Sequence, residues 1–268
     1  MAASPSPEQV PDLILLAEGS ITVEGRLVDA SNTTLLGLVE HDGREERCVY
    51  KPIAGERPLW DFPDGTLAFR EVAAYAVSES TGWDVVPPTV LRDGPFGPGM
   101  VQLWIDVDES VELVDVVPRR RQPAGWLPVL DALGAGGAPV TLVHADDLRL
   151  RRMAILDTVL NNADRKGGHV LPTDSGHVFG VDHGVCFNTD DKLRTVLWGW
   201  AGRPLLAEET DVLARLGAAL DGELGSTLRQ LLDTAEVRRT SERIQRMLEG
   251  CRFPVPTEGW PAIPWPPF

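Results

Sequence analysis

Cysteine is scarce in this chain: three in 268 residues, Cys48, Cys186 and Cys251, isolated, odd in number and without a Cys-x-x-Cys pair. That pattern argues against both a disulfide framework and a structural zinc site. Long apolar runs are also lacking. Stretches such as Leu13 to Ala17 fall far short of the roughly 20 residues that a membrane-spanning helix needs. The opening Met-Ala-Ala-Ser-Pro-Ser-Pro has neither the basic nor the apolar region of a secretory signal. A soluble, cytoplasmic protein is expected. Positive charge is in short supply: 25 Lys plus Arg stand against 40 Asp plus Glu, a net charge of −15. Such a surface repels polyanions, so neither nucleic-acid binding nor stable membrane association is expected. What the chain does have is 43% hydrophobic residues in 29.2 kDa, enough for one two-lobed domain or two small ones.

Three runs alternate with strand periodicity, Ile21 to Val28, Thr34 to His41 and Arg47 to Ile53, separated by turn formers at Asp29 to Thr33 and His41 to Arg44. They read as an antiparallel meander. Leu67 to Ser80 has helical spacing, and Val85 to Leu91 and Met100 to Ile105 read as two further strands around the turn-rich Arg92 to Gly99. Residues 1–105 therefore predict a β-rich lobe of five strands and a helix, with a hinge near Gln102 to Asp108. Residues 106–268 predict a helical lobe. Pro118 to Pro139 is proline- and glycine-rich and reads as irregular. Helices are predicted at Asp146 to Leu160, Leu205 to Leu220, Leu224 to Leu232 and Thr234 to Leu248, with two short β segments flanking Thr173 to Gly176. The tail from Phe253 to Phe268 holds six of the 22 prolines and is expected to lie extended against the surface.

The densest chemistry lies in Leu156 to Leu171, which contains Asn161-Asn162-Ala163-Asp164-Arg165-Lys166-Gly167-Gly168-His169, and in Val181-Asp182-His183-Gly184. Turn chemistry alone would explain either segment. Together they set two carboxylates on neighbouring loops, where one could orient or deprotonate a hydroxyl and the other hold Mg²⁺ against nucleotide phosphates. Upstream, Lys51 sits in the third strand. On an inner face it needs an anion, either phosphate or Glu71 of the following helix; on an edge strand it would simply face water.

The order of hairpin, strand Lys, helix Glu, hinge, helix, Asp-bearing loop, short hairpin and second Asp is that of a protein-kinase-like fold. More closely, Tyr50-Lys51-Pro52, Arg70 to Tyr75, Val86-Pro87-Pro88-Thr89, Leu156 to Leu171 and Val181 to Gly184 resemble the phosphatidylinositol 3-/4-kinase superfamily. Within it they are most similar to the type II phosphatidylinositol 4-kinases, the HipA-like kinases and an actinobacterial branch of that group. The resemblance spans about residues 20 to 200. It implies an α+β, bilobal fold, with ATP as cofactor together with Mg²⁺ or Mn²⁺. By it Lys51 contacts the nucleotide phosphates, Glu71 holds Lys51, Asp164 is the catalytic carboxylate and Asp182 the metal-holding one.

This sequence departs from the family in three places. It lacks Gly-x-Gly-x-x-Gly over the phosphates; Ser31, Asn32 and Thr33 of the first hairpin stand in as a candidate nest. Lys166 replaces the usual His. His169 replaces the Asn that would bind a second metal, and is either a ligand favouring Mn²⁺, a phosphate contact, or a sign of lost turnover. Gln102 and Trp104 in the hinge are the adenine candidates, through their backbone groups. The basic islands Arg119-Arg120-Arg121 and Arg149, Arg151, Arg152 are solvated faces or guides for an anionic acceptor. ATP-dependent phosphoryl transfer to a soluble small molecule or a protein hydroxyl is the expected activity. A nucleotide-binding pseudokinase and an AMP-transferring enzyme are the alternatives.

Overall fold

A computed structural model describes residues 9–27 and 32–268. Ser31, one of the candidate phosphate contacts, lies outside the described residues. The chain opens with helix α1 (Gln9–Glu18), followed by β1 (Ser20–Arg26), β2 (Leu35–His41), β3 (Arg44–Pro52), helix α2 (Leu67–Thr81), β4 (Thr89–Gly94) and β5 (Gly97–Leu103). The five strands form one antiparallel sheet in the order β1-β2-β3-β5-β4.

The two-residue period of β3 decides where its side chains go. Cys48 and Tyr50 point into an apolar cluster with Leu15 and Leu16 of α1 and Val39 and Val101 of the sheet. Val49 and Lys51 are thereby turned to the opposite face. The sequence reading contains no helix α1, because its apolar run is only a few residues long, yet it packs on one side of the sheet against β2, β4 and β5. Strand β4 starts later than the alternation suggests, at Thr89 rather than Val85. Pro87 and Pro88 have no N–H for a ladder, so Val85 and Val86 are buried ahead of the strand.

The second part of the chain is mostly helical, but Pro118 to Pro139 is not irregular as expected. Strands β6 (Val114–Pro118), β7 (Trp126–Leu133) and β8 (Pro139–Ala145) form a three-stranded sheet in the order β6-β8-β7. The prolines stand where a ladder tolerates them: Pro118 ends β6, Pro139 begins β8, and Pro128 sits at a register shift in the edge strand β7. Helix α3 (Leu148–Leu160) follows, capped by Asp147, whose side chain accepts from the Arg149 N–H at 2.8 Å. A hairpin of β9 (Val170–Pro172) and β10 (Val178–Gly180) precedes helices α4 (Ala207–Leu220), α5 (Glu223–Leu231) and α6 (Thr234–Gly250).

One core runs from α2 through α3 to α4, α5 and α6 and includes Trp200. The tail beyond Cys251 contains no helix or strand longer than a single bridge and is tied down by its carbonyls. Ala262 O accepts from Thr195 N at 3.0 Å and from Trp198 Nε1 at 2.8 Å, and Pro267 O accepts from Gly167 N at 2.8 Å. No helix of the described residues is long and apolar enough to cross a membrane.

His144 is fully buried under this core. It donates from Nδ1 to Ala145 O at 2.8 Å, accepts the Gly199 N–H at Nε2 at 3.0 Å and packs on Trp200. Burial pushes its imidazole down to about 4 from an ordinary 6.5. The folded state thus keeps His144 neutral where the unfolded chain binds a proton, so stability is complete above pH 6.5 and falls between pH 6.5 and 4. Its share is about 3 kcal/mol. Urea unfolding across this window should show a weaker acid loss in His144→Gln than in the wild type. Parallel curves would contradict this assignment.

Candidate active site

Helix α3 ends on Asn161 in the left-handed region, φ 54°, where Asn is among the few residues at ease. Its amide spans to the loop after β10, donating to Asn188 O and Asp190 O and accepting Lys192 N. The reversal throws Asn162 and Asp164 out of the helix; Asn162 Oδ1 accepts the Asp164 N–H at 2.9 Å and fixes the turn. Asp164 is half-buried, with Lys166 Nζ 3.3 Å from its Oδ2. Burial raises the Asp164 carboxyl above its ordinary range against the opposing pull of Lys166.

Asp182 follows β10 with φ 61°, a second non-glycine residue in the left-handed region. It meets Lys51 Nζ at 2.9 Å, while Glu71 Oε1 holds the same ammonium at 2.6 Å. Glu71 Oε2 accepts the His183 N–H at 2.9 Å, so this buried carboxylate binds both the strand lysine and the backbone of the Asp182 loop. Burial pulls the Lys51 ammonium down, but Asp182 and Glu71 together outweigh it and leave it well above its usual range. Lys51 in turn drives Asp182 far below the usual carboxylate range. The result is a strand cation held ready between two carboxylates.

His169 Nε2 lies 3.6 Å from Asp182 Oδ2. Burial pushes His169 down to about 4, so its ring is neutral at physiological pH. Arg165, which sequence reading passed over, underlies the whole arrangement. It is fully buried, makes a bidentate pair with buried Asp157, and donates to His169 O and Val181 O. It also meets His183 Nε2 at 2.6 Å. One guanidinium thus ties α3, the Asp164 loop and the Asp182 loop together.

These groups face a cleft of two halves that share Asn32, Lys51, Asp164 and Asp182 in their walls. The half of about 580 Å³ is lined by Leu27, Val49, Leu103, Trp104, Ile105, Leu171 and Val181, with Gln102, Lys166 and His169. It is the apolar slot into which a planar ring could fit. Gln102 is buried and spends its amide on Thr89 Oγ1 at 2.8 Å; the N–H groups of Leu103 and Trp104 are engaged by Pro88 O and Arg47 O. Of the hinge candidates, side-chain faces rather than these donors are left for a base. Asn32 and Thr33 border the other half, of about 510 Å³, although Asn32 Oδ1 is already taken by the Arg57 N–H.

The two basic islands are not part of the cleft wall. Arg119 pairs with Asp131, Arg149 with Asp147, Arg151 with Glu209 and Arg152 with Glu208, so four of the six cations are balanced in place. Trp200 is core, as its Nε1 bond to Asp146 and its contact with His144 show.

Among the described residues no three His, Cys, Asp or Glu side chains form a ready-made metal site. Mg²⁺ commonly takes one or two carboxylates and completes its shell with substrate phosphates and water. Asp182, held ionised at the junction of the two halves, suits that hard ion; the neutral ring of His169 suits it poorly.

Residues 148–243 match the family described as phosphatidylinositol 3- and 4-kinase. Protein Rv2133c of Mycobacterium tuberculosis (strain ATCC 25618 / H37Rv) is 49% identical over 263 residues, 95% of this chain and 94% of that protein. Phosphatidylinositol 4-kinase gamma 6 of Arabidopsis thaliana is 31% identical over 177 residues, which is 60% of this chain but 27% of the plant protein. The crystal structure of the Golgi casein kinase superposes with a TM-score of 0.51 over 94% of this chain and 80% of that one, at 15% identity, a likeness of fold. With the bilobal architecture and the matched segments in view, the chain belongs to the phosphatidylinositol 3-/4-kinase-like superfamily, in one family with mycobacterial Rv2133c.

Proposed function

We propose that this kinase-like protein transfers the γ-phosphoryl group of ATP to a hydroxyl of a soluble acceptor. One observation carries the reading: Lys51, Glu71 and Asp182 form a continuous ion-paired chain across the cleft, and Asp164 lines the same space. Phosphoryl transfer needs positioning and charge neutralisation more than covalent help. Lys51 neutralises phosphate charge and is kept straight by Glu71. Asp182 would hold Mg²⁺, which when bound supplies further neutralisation at the phosphates. Asp164, with its carboxyl raised by burial, accepts the acceptor's proton. The hydroxyl oxygen bonds to the γ-phosphorus as the bond from phosphorus to the β–γ bridging oxygen breaks. ADP leaves with that electron pair. The residues forming the Asp164 and Asp182 loops, 161–184, lie inside the stretch matched to the family model.

The test is transfer from radiolabelled ATP. Label from the γ position should reach the acceptor while α label stays on ADP. Appearance of α label on the product would replace this reading with AMP transfer. Nucleotide binding without loss of either label would make the protein a nucleotide-binding regulator.

A further inference from the structure

The half of the cleft away from the apolar slot is rich in donors that nothing in the protein satisfies. Arg57 and Arg194 both line it. The Arg57 guanidinium is exposed and makes no hydrogen bond or ion pair among the described residues, although its backbone N–H is anchored on Asn32 Oδ1. Arg194 Nε is buried without a partner, and one terminal nitrogen only grazes Ile263 O at 3.5 Å. Trp260 Nε1 is likewise buried and unpartnered. A buried N–H left unmade costs more than a made bond gains, so the two buried donors, together with the exposed Arg57 fork, mark this cavity as a place for a ligand that accepts hydrogen bonds.

The aromatic rings of this half fit the same conclusion. Trp60, from the loop before α2, is 85% exposed, and its ring centroid lies 6.5 Å from that of Trp260, about two hundred positions along the chain. Lys192 Nζ sits 4.6 Å from the Trp60 centroid and 4.8 Å from that of Trp260, and is anchored to Asp61 at 2.8 Å. The cation holds both indoles in position while its own charge is balanced by Asp61. An indole left in water at the rim of a cleft offers a flat apolar face to whatever enters.

We propose, building on the phosphotransfer reading, that the acceptor is a small soluble molecule carrying an anionic group of its own. That group binds Arg57 and Arg194, the body lies against Trp60 and Trp260, and the reacting hydroxyl is presented to Asp164. Arg194 lies near Asp164 without an ion pair to it, among the charges that pull the Asp164 carboxyl down, and Arg57 lines the same cavity. Guanidinium forks match phosphate and carboxylate oxygens better than any other side chain. Of the carboxylates in that wall, Glu71 and Asp182 are paired with Lys51, Asp61 with Lys192 and Asp164 with Lys166, and Glu56 accepts from the Leu67 and Ala68 N–H groups, so Arg57 and Arg194 are the cations of the wall left without an ion pair among the described residues.

Inorganic phosphate is the minimal probe. With Mg²⁺ and a non-hydrolysable ATP analogue saturating the nucleotide half, titrated phosphate should change tryptophan fluorescence through Trp60 and Trp260. Arg57→Gln and Arg194→Gln should each weaken phosphate binding about tenfold, the worth of one charge-assisted hydrogen bond, and leave affinity for the ATP analogue within about twofold. Arg194 holds its loop by main-chain bonds to Asn162 and Arg165, which survive the substitution. Phosphate binding unchanged in both variants, or absent from the wild type, overturns the proposal. So does loss of phosphate and nucleotide affinity together, since the guanidiniums would then belong to the nucleotide half. If the wild type ignores the ATP analogue yet binds phosphate through these arginines, the anion site stands and the phosphotransfer reading falls. Binding of vesicles of phosphatidylcholine with phosphatidylinositol in place of free phosphate would assign the site to a lipid headgroup and overturn the soluble acceptor.

Discussion

Asp164→Asn is expected to retain Mg-ATP and to lose transfer by a factor of about 10² to 10⁴, the usual contribution of a positioned proton acceptor. The amide is nearly isosteric, and the turn that presents it is held by Asn162 Oδ1 on the main-chain N–H, which the substitution leaves intact. What changes is the acceptor oxygen whose basicity burial raises. Asp182→Asn is expected to behave differently. It removes the carboxylate that meets Lys51 at 2.9 Å and the group suited to Mg²⁺, while Glu71 still holds Lys51 at 2.6 Å. Affinity for Mg-ATP should fall about tenfold or more, since a charge-assisted contact is worth about 1.5–3 kcal/mol. Calorimetric titration and single-turnover transfer separate the two variants. Equal loss of binding in both would contradict the division of roles.

The second large effect concerns stability. Asp157 and Arg165 are both fully inaccessible to water, joined by bidentate hydrogen bonds, with Asn162 Nδ2 adding a further donor to Asp157 at 2.9 Å. Asp157→Ala would strand a buried guanidinium, at a cost of about 3–5 kcal/mol. Against a total of about 5–15 kcal/mol for a typical domain, that is enough to unfold much of the protein at 37 °C. A double variant, Asp157→Leu with Arg165→Met, should recover part of the loss, because the stranded charge is then gone. The exposed pair of Arg119 and Asp131, 2.9 Å apart, is the control. Arg119→Ala should change stability by less than about 1 kcal/mol. Urea unfolding measures all three; a change below about 1 kcal/mol in Asp157→Ala would deny Arg165 its part in tying the loops together.

Much of this could be read in the sequence, for reasons that differ along the chain. The meander of β1 to β3 shows because alternation in a sheet with one covered face is a strong local signal, and α2 because its apolar positions recur with helical spacing. Asp164 and Asp182 stand out because polar turns at those places follow apolar elements. The small sheet of β6 to β8 was hidden by its prolines, which mark loops until the pairing shows that each occupies an end or a register shift. Arg165 was hidden for another reason: an arginine in a polar loop reads as solvated, and only the fold reveals that Asp157, one turn before the end of α3, points back at it. The anion-binding half was illegible altogether. Trp60, Lys192, Arg194 and Trp260 come from three distant segments, and no local pattern announces that they share one cavity. The chain's three lysines are Lys51, Lys166 and Lys192. Two reach the acidic centre directly and the third braces the indoles beside it.

The most direct measurement is a crystal structure with Mg²⁺ and a non-hydrolysable ATP analogue. The account predicts the base in the slot between Val49, Leu103 and Leu171, the β- and γ-phosphates at Lys51, and the metal on Asp182. A nucleotide bound elsewhere, with Lys51 and Asp182 still closed on each other, would contradict it.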